Sequence, residues 1–246
     1  MGVPRQQLKQ ELDVSSYVPD AFEWQEVCPG VARYDFKNAE VPLIYHAVKI
    51  DLSSPGLSLV WSQWERTSAF AERENCVAAI NATPFDKTRL AGILKADGEV
   101  LSGPVARYAA LGLRCDEDGA VTCARVFESQ KDAGLADCDF AFGGFFVVLE
   151  GGKVRTEFVR RGDSRSGAGV SADGKTLYLL VVEGERFSKS IGLSYPQCGE
   201  IFRAMGCRDA LEFDGGGSSE LCINGRSVLS YRVRRVQGNS FGFRVK

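Results

Sequence analysis

The residues of this chain whose types and spacing could do chemistry are concentrated between positions 211 and 220. Three consecutive glycines, Gly215, Gly216 and Gly217, follow Asp214 and precede Ser218. Glycine favours positive φ angles and lets a ligand approach the backbone closely, and successive N–H groups in such a loop can form a nest for an anion. The pattern predicts an anionic or sugar ligand on the loop with the Asp214 carboxylate beside it. A glycine-rich turn between two strands, capped by Asp214, is the alternative interpretation.

Two further carboxylates accompany this loop in the sequence. Glu183 ends the apolar run Leu177–Val182, so it stands at the end of a predicted strand, where functional residues are often found. Glu212 lies two residues before Asp214, and on an extended strand the two side chains would share a face. Such close like charges would raise one pKa. An ordinary turn residue at position 183 and a solvated glutamate at position 212 stay open as alternatives.

Polar residues elsewhere could complete a binding site for a phosphorylated sugar. Arg165 is the predicted phosphate clamp, because a guanidinium binds phosphate through two parallel hydrogen bonds. Arg160 and Arg161 lie close by in the sequence, so a surface role for this arginine is the alternative. Asn81 ends a predicted strand and could donate a hydrogen bond to a sugar hydroxyl, or serve only in a turn. His46 lies inside a strand-like run, and we interpret it as structural.

Composition excludes several function classes. The 246 residues include 30 basic and 32 acidic side chains, for a net charge of −2, so no global charge favours nucleic acid as a partner. No apolar run is long enough to span a bilayer. The first residues have no hydrophobic signal-peptide core, which does not by itself decide the compartment. A single histidine and the lack of any C-x-x-C pattern argue against a zinc-finger site.

Periodicity and turn signals predict the elements that position these residues. The clearest helix is Tyr195 to Met205, with a capping box at Ser194 and Gln197 and a fitting glycine, Gly206, after its end. Pairs typical of tight hairpin turns lie between strand-like runs at 97–98, 118–119, 151–152, 173–174 and 224–225. The sequence therefore predicts an α+β fold with a largely antiparallel, hairpin-rich sheet system and a few packed helices.

The domain organisation follows from the same patterns. Residues 1–38 are predicted as an N-terminal tail or leading segment, in which QQLKQEL could form a short helix. No linker rich in Pro, Gly or Ser interrupts the remainder, so residues 39–246 are predicted as one domain. Cys115 and Cys123 flank a predicted turn and could form a disulfide across a hairpin.

Four separated segments together resemble the phosphodiester glycosidase family, in the order in which that family has them. They are AAINATPF (78–85), RSGAG (165–169) followed by Asp173-Gly174, LLVVEG (179–184) and ALEFDGGGSS (210–219). The resemblance covers roughly residues 40–246, and the ordered set is more specific than any one motif. The chain departs from the family's usual residues at Ala82-Thr83-Pro84, at Ser166 and Gly167, at Glu183 and at Glu212.

The resemblance implies hydrolysis of a sugar-1-phosphodiester at the anomeric carbon. It implies catalytic roles for Asp214 and Glu183 and a substrate-binding role for a larger set. That set is Arg165, Asn81, Gly215, Gly216, Gly217, Ser218 and Glu212. It implies a carbohydrate or sugar-phosphate substrate, no cofactor, and a secreted, periplasmic or cell-surface location. A calcium or magnesium ion held by carboxylates stays open.

Two alternatives to this enzyme function stay open. The first is a non-catalytic protein that binds sugar phosphates or exopolysaccharide on the same fold, which the departures from the family pattern favour. The second is a phosphatase-like hydrolase that attacks phosphorus, although such enzymes usually need a cluster of metal ligands.

Overall fold

The computed structural model describes residues 12–158 and 161–245. Residues 6–11 of the predicted leading helix lie outside the described residues. Two α-helices occur in the described ranges, α1 (Thr67–Arg73) and α2 (Tyr195–Ala204). The strands are β1 (Gln25–Cys28), β2 (Val31–Asn38), β3 (Leu43–Asp51), β4 (Leu57–Glu65), β5 (Ala78–Asn81), β6 (Phe85–Asp86), β7 (Arg89–Leu90), β8 (Leu94–Ala96), β9 (Glu99–Ser102), β10 (Ala110–Cys115), β11 (Val121–Phe127), β12 (Phe140–Gly143), β13 (Val147–Glu150), β14 (Lys153–Val154), β15 (Arg165–Val170), β16 (Thr176–Val182), β17 (Asp209–Glu212), β18 (Leu221–Ile223), β19 (Arg226–Ser227) and β20 (Gln237–Val245). Short 3₁₀ turns span Val14–Ser16, Ala133–Asp137 and Gly216–Ser218.

The strands form one large sheet and three smaller ones. The large sheet has eight strands in the order β1-β2-β3-β16-β15-β17-β13-β14. Two five-stranded sheets have the orders β11-β10-β12-β8-β9 and β19-β18-β5-β20-β4, and β6 pairs with β7 alone. The strand pairs are antiparallel. This confirms the predicted antiparallel, hairpin-rich system, while the α+β description fits only loosely because the helices are so few.

All five predicted turns join consecutive strands as hairpins. They connect β8 to β9, β10 to β11, β13 to β14, β15 to β16, and β18 to β19. The second residue of each pair is a glycine with φ between 73° and 81°, a region that side-chain-bearing residues rarely adopt. The turn residues therefore determine which consecutive strands pair as hairpins.

The core lies between the eight-stranded sheet and the two five-stranded sheets. Along β16, Leu177, Leu179 and Val181 pack into this core, together with Phe142 and Phe241 of the facing sheets. The alternate residues of β16 face the other side of the large sheet, where they pack against α2. Because both faces of β16 are covered, its sequence is a continuous apolar run and not an alternating one.

Helix α2 covers the outer face of the large sheet as predicted. The Gln197 side chain accepts a hydrogen bond from the Ser194 N–H at 2.8 Å, which satisfies one of the donors at the helix start. Cys198, Ile201 and Phe202 are fully buried, so the predicted apolar stripe is the packed face. Neither this helix nor α1 has the length and apolar character needed to cross a membrane, and no other helix in the described ranges does.

The structure bears on two further predictions, the leading segment and the disulfide. Strand β2 pairs with β3 from Val31 to Asn38, so the second half of the predicted leading segment is part of the large sheet. The predicted disulfide is wrong, because Cys115 and Cys123 are both free thiols. A bulge in the β10–β11 hairpin places Cys115 opposite Val121 and Cys123 opposite Arg114, and such a bulge shifts the pairing by one residue.

Candidate active site

Four strand ends meet at one edge of the molecule, and the predicted site residues lie there. Strand β15 begins at Arg165 beside the end of β16, and β17 ends beside the same start of β15. The end of β5 joins them, because the Asn81 side chain donates a hydrogen bond to the Asp214 carbonyl at 2.7 Å. The antiparallel order thus brings Arg165, Asn81, the segment after β16 and the glycine loop together from distant parts of the chain.

Asn81 holds this edge together. Its side-chain oxygen accepts hydrogen bonds from the Ser166 hydroxyl at 2.8 Å and from the Glu220 N–H at 3.0 Å. With the bond to the Asp214 carbonyl, the amide links three segments that are far apart in sequence. The residue is only 1% exposed, so the structure gives it a positioning role, and the predicted contact with a sugar hydroxyl stays a prediction.

Asp214 is partly exposed beside the loop, with its backbone fixed by a hydrogen bond from its N–H to the Ala82 carbonyl at 2.8 Å. Burial raises the pKa of its carboxyl to about 6, since a low-dielectric surrounding disfavours the charged form. Hydrogen bonds from the Ser218 hydroxyl and the Gly215 N–H, together with the positive charge of Arg235, oppose that rise in pKa. The carboxyl therefore titrates close to neutral pH.

The glycine loop is compact because it has no side chains at its tightest points. A Cβ on Gly215 would lie 2.8 Å from the Ser164 carbonyl oxygen, and Gly216 has a φ of +59°. The Gly216 N–H donates to that same Ser164 oxygen at 2.9 Å, so the loop does not present an unbroken row of free N–H donors. Gln237 fixes the far end of the loop by donating to the Ser218 carbonyl at 3.1 Å.

Arg165 lies beside the loop in a fixed orientation. Its Nε donates to the Leu193 carbonyl at 2.9 Å, and its Nη2 donates to the Arg161 carbonyl at 2.9 Å. The guanidinium stacks 4.3 Å from the centre of the Tyr195 ring, and its Nη1 lies 3.9 Å from the Cβ position of Gly215. No carboxylate among the described residues forms an ion pair with this guanidinium. Its positive charge is therefore not neutralised and can act on a ligand at the glycine loop.

A second arginine, which the sequence did not single out, flanks the same loop. Arg235 is exposed, and its Nη1 lies 3.4 Å from the Ser218 hydroxyl. Its guanidinium carbon is 3.7 Å from the Cβ position of Gly217, where the Glu185 carboxylate also approaches to 3.8 Å. The only sequence signal was the basic run Arg232-Val233-Arg234-Arg235, which does not reveal the distant loop that it contacts.

Glu183 is deeply buried and fully hydrogen-bonded. Its Oε1 accepts from the Ser230 N–H at 2.7 Å and lies 3.2 Å from Nε2 of His46, while Oε2 accepts from the Ser230 hydroxyl. Burial alone would raise the pKa of this carboxyl, but the bonds from His46 and Ser230 lower it below the usual value. The carboxylate is therefore ionised at neutral pH, and its predicted catalytic role stays a prediction.

His46 has partners that the sequence did not indicate. Its Nδ1 lies 2.7 Å from an oxygen of Asp35 on β2, and its Nε2 contacts Glu183 on the other side. The interpretation of His46 as structural had rested on the lack of a recognisable partner, and this premise is wrong. The partners come from β2 and from the end of β16, which pair with β3 on either side.

Glu212 is buried below Arg165 on the α2 side of the sheet. It is 1% exposed, and neither carboxyl oxygen has a hydrogen-bonding partner of good geometry among the described residues. Burial raises its pKa to about 8, although the positive charge of Arg165 and the nearby Cys198 thiol lower it. The predicted cause, repulsion from Asp214, is not what shifts this pKa, because desolvation dominates.

Among the residues that the structure describes, no group of three or more His, Cys, Asp or Glu side chains could hold a metal ion. The predictions on cofactors, and on a carboxylate-bound calcium or magnesium ion, stay predictions.

Comparison with solved structures shows the fold. The catalytic domain of zebrafish N-acetylglucosamine-1-phosphodiester α-N-acetylglucosaminidase, auto-inhibited by its pro-peptide, matches with a TM-score of 0.67 and 18% identity, over 90% of this chain and 86% of that chain. A hypothetical protein from Synechocystis matches with a TM-score of 0.67 and 16% identity, over 88% of this chain and 62% of that chain. A candidate exported protein of Burkholderia pseudomallei matches with a TM-score of 0.57 and 15% identity, over 82% and 74%.

Comparison of the sequence gives a family match but no individual relative. A search of curated proteins finds no match. The family model described as phosphodiester glycosidase matches residues 74–244, which include Asn81, Arg165, Glu183 and the glycine loop. Since this match spans more than half of the sequence, the resemblance is confirmed and the chain belongs to the phosphodiester glycosidase family.

Proposed function

We propose that this protein is a hydrolase that cleaves a sugar-1-phosphodiester at the anomeric carbon, releasing free sugar and a phosphomonoester. The observation that carries the proposal is the Asp214 carboxyl, whose pKa is raised to about 6, beside a glycine loop flanked by two arginines. A carboxylate that titrates near neutral pH, next to cationic groups that suit a phosphate, matches the two halves of such a substrate.

The chemistry requires a carboxylate at the sugar. Cleavage at the anomeric carbon passes through a transition state that resembles an oxocarbenium ion. Above pH 6, Asp214 is mainly ionised, so it can stabilise that positive charge, act as the nucleophile, or remove a proton from water. The leaving group is a phosphomonoester whose second pKa is about 6. It departs without a strong general acid, and a single carboxylate with a phosphate clamp suffices.

The two arginines suit the phosphate half of the substrate. Arg235 approaches the loop at Gly217 and Ser218, whereas Arg165 approaches it at Gly215. A phosphate bound between them would receive charge-assisted hydrogen bonds from both sides. Glu212 supports this arrangement, because as a neutral acid at pH 7 it forms no ion pair that would neutralise Arg165. Both carboxyl oxygens of Glu183 already have partners in Ser230 and His46, which favours a positioning role over attack on the substrate.

The family and its relatives guide the expected sugar and location. The zebrafish relative is described as acting on N-acetylglucosamine-1-phosphodiesters, and a Burkholderia relative is described as a candidate exported protein. We infer a similar carbohydrate substrate and a secreted, periplasmic or cell-surface location for this chain. Fractionation of cells that express the full-length protein tests the location, and recovery only in the cytoplasm would contradict it.

The direct test is incubation of the purified protein with a panel of sugar-1-phosphodiesters, including N-acetylglucosamine derivatives and nucleotide sugars, followed by product analysis. Free sugar with an intact phosphomonoester supports the proposal. Sugar-1-phosphate as the product means attack at phosphorus and overturns it. Binding of the diesters without any turnover also overturns it and favours the non-catalytic sugar-phosphate binding protein.

The arginine assignment gives a prediction of its own. Arg235→Gln removes the positive charge at Gly217 and is expected to raise KM for the best diester by about ten-fold, the lower range for a lost charged hydrogen bond. Arg165→Lys keeps the charge but loses the planar fork and is expected to raise KM to a similar degree. Steady-state kinetics of the folded variants measure both effects.

Arg234→Gln is the matched control. Arg234 is exposed in the same run but forms no ion pair or side-chain hydrogen bond among the described residues. Its loss removes one positive charge from the same surface and is expected to change KM by less than about two-fold. If Arg235→Gln raises KM no more than Arg234→Gln does, long-range charge alone accounts for the effect and the assignment of Arg235 is wrong. An unchanged KM in Arg165→Lys would overturn the assignment of Arg165.

A further inference from the structure

The single histidine of the chain lies at the centre of a chain of hydrogen bonds that is buried at His46 and Glu183. It reaches the arginine segment, defined here as Ser230–Val236. This chain runs from Asp35 through His46 and Glu183 to Ser230. Its distances are 2.7 Å from Asp35 to Nδ1, 3.2 Å from Nε2 to Glu183, and 2.7 Å from the Ser230 N–H to Glu183. The Ser230 hydroxyl adds a second bond to the same carboxylate.

The arginine segment has few other anchors in its first half. The Ser230 carbonyl lies 3.4 Å from Nη1 of Arg186, and the Arg186 guanidinium lies 5.9 Å from the Tyr231 ring. Arg232, Arg234 and Arg235 are all exposed. Val233 is buried and gives the segment an apolar anchor, and the two bonds from Ser230 to Glu183 are its polar fixed point before β20 begins. Loss of these bonds would free the start of the segment that carries Arg235.

Glu183 can hold Ser230 only if its own charge is compensated. The side chain is 1% exposed, and an unpaired buried carboxylate is costly. His46 is the one cationic group that contacts it in the described part of the chain. The charged groups that face His46 are Asp35 from β2 and Glu183 from β16, with Arg33 paired to Asp35 on its exposed side.

We propose that His46 is a positioning residue that acts through Glu183 and Ser230 to hold the arginine segment over the glycine loop. The doubly protonated imidazole donates to both carboxylates, Asp35 and Glu183. After loss of one proton it can donate to only one of them and is no longer cationic, so the charge of Glu183 is left uncompensated whichever bond remains. The functional consequence, weaker binding of the substrate phosphate, rests on the proposed function, whereas the coupling itself does not.

The direction of the pH dependence follows from the environment of His46. Burial alone would lower the pKa of the imidazole, but the bonds to Asp35 and Glu183 outweigh burial and raise it above its usual value. A group with a raised folded pKa stabilises the fold fully below its unfolded pKa, and this contribution is lost as the pH rises through the folded pKa. The arginine segment is therefore expected to loosen as the solution becomes alkaline.

The test begins with two measurements that need no substrate. Because His46 is the only histidine, NMR titration of the imidazole resonances gives its pKa without assignment. We expect a value above 6.5 in the parent and a lower one in Asp35→Asn, which keeps the shape but removes a negative charge. Limited trypsin digestion then reports on the arginine segment, because cleavage of a native protein follows local opening.

We expect His46→Gln and Asp35→Asn to accelerate cleavage after Arg232, Arg234 and Arg235, by at least about ten-fold for His46→Gln. Cleavage after the exposed Lys87 in the β6–β7 hairpin serves as the internal control and is expected to stay unchanged. Arg33→Gln, which leaves every bond from His46 to Ser230 in place, is the matched variant and is expected to behave as the parent. If the panel of sugar-1-phosphodiesters yields a substrate, the variants that trypsin cleaves faster are expected to show a higher KM for it and nearly the parental kcat.

An imidazole pKa at or below 6.5 in the parent overturns the proposal. So does unchanged cleavage of the arginine segment in a folded His46→Gln variant. If His46→Gln fails to fold, the test relies on Asp35→Asn, whose side chain is partly exposed. Cleavage of its arginine segment, relative to cleavage after Lys87, must then exceed that of the parent. Failure of the substrate panel alone would overturn the proposed function and leave these measurements to decide the role of His46.

Discussion

Asp214→Asn is expected to lower kcat on the best diester by about 10²–10⁴-fold, the range for a positioned acid–base group, or by more if Asp214 is the nucleophile. The substitution keeps the size of the side chain and its capacity to accept from the Ser218 hydroxyl. It removes the negative charge that would face the anomeric carbon. The loop backbone is held by Ala82, Ser164 and Gln237, so KM is expected to change much less than kcat.

The pH profile gives an independent reading of the same residue. If the ionised carboxylate is the active form, kcat/KM of the parent rises with pH through about 6, where the Asp214 carboxyl titrates. This rise of kcat/KM near pH 6, the acidic limb of the pH profile, is expected to vanish in Asp214→Asn. Asp173→Asn, in the β15–β16 turn at the opposite end of the same sheet, is the control, and we expect it to keep both the parental kcat and the limb.

A parental kcat in Asp214→Asn would contradict the catalytic assignment. The carboxylates to examine next are then Glu185, which approaches the loop at Gly217, and Glu183. If kcat falls but the limb near pH 6 persists, the charge of Asp214 matters for stabilisation while another group sets the pH dependence.

The parts of the fold that could be predicted from the sequence are those decided by neighbours along the chain. Helix α2 is set by its capping box, its apolar stripe and Gly206, all within about a dozen residues. The hairpins are set by glycines at positive φ, in two-residue turns for three of them and in five-residue turns between β10 and β11 and between β15 and β16. The family resemblance located the glycine loop and Arg165, because these motifs are short and contiguous.

The connections across the site could not be predicted, because they join residues far apart in sequence. Asn81 is bonded to Ser166, Asp214 and Glu220 only because β5 ends where β15 and β17 meet. Arg235 approaches Ser218 only because β20 begins next to the glycine loop. A single sequence reports the chemical type of these residues but not the strand order that pairs them.

Burial was the other quantity that the sequence did not reveal. A glutamate two residues before an aspartate suggested charge repulsion on a shared face, yet desolvation is what shifts the pKa of Glu212. Likewise, a histidine with no partner nearby in sequence proved to lie between two carboxylates. In both cases the environment comes from other segments of the chain: Glu212 is buried near Cys198 of α2 and Arg165 of β15, and His46 contacts Asp35 of β2 and Glu183 at the end of β16.

Glu212→Gln is expected to abolish a large pH dependence of stability. In the folded protein the Glu212 carboxyl titrates at about 8, compared with 4.5 as its reference value. Between these values the unfolded chain releases this proton and the folded protein keeps it, so the folded state binds more protons. The free energy of unfolding therefore falls as the pH rises through this window and levels off above about pH 8. The loss for Glu212 is on the order of a few kcal/mol, since each pKa unit corresponds to about 1.4 kcal/mol.

Denaturant unfolding of the parent and of Glu212→Gln at pH 5 and pH 8.5 measures this effect. The variant is expected to gain stability relative to the parent as the pH rises, because glutamine does not titrate. Asp214 and His46 also contribute to the parental slope, but they are present in both proteins and cancel in the difference.

Glu183→Gln is expected to change the pH dependence of stability in the opposite direction. Comparison of the two variants therefore separates burial, which raises the pKa of Glu212, from hydrogen bonding, which lowers the pKa of Glu183. The pKa of Glu183 is lowered in the folded protein, so its stabilising contribution is present at neutral pH and is lost as the pH falls through the folded pKa. Glu183→Gln is therefore expected to be most destabilising near pH 7 and less so in acid. Equal pH slopes for the parent and Glu212→Gln would mean that Glu212 ionises freely in the folded state, and Arg165 would then carry a buried ion pair that weakens it as a phosphate ligand.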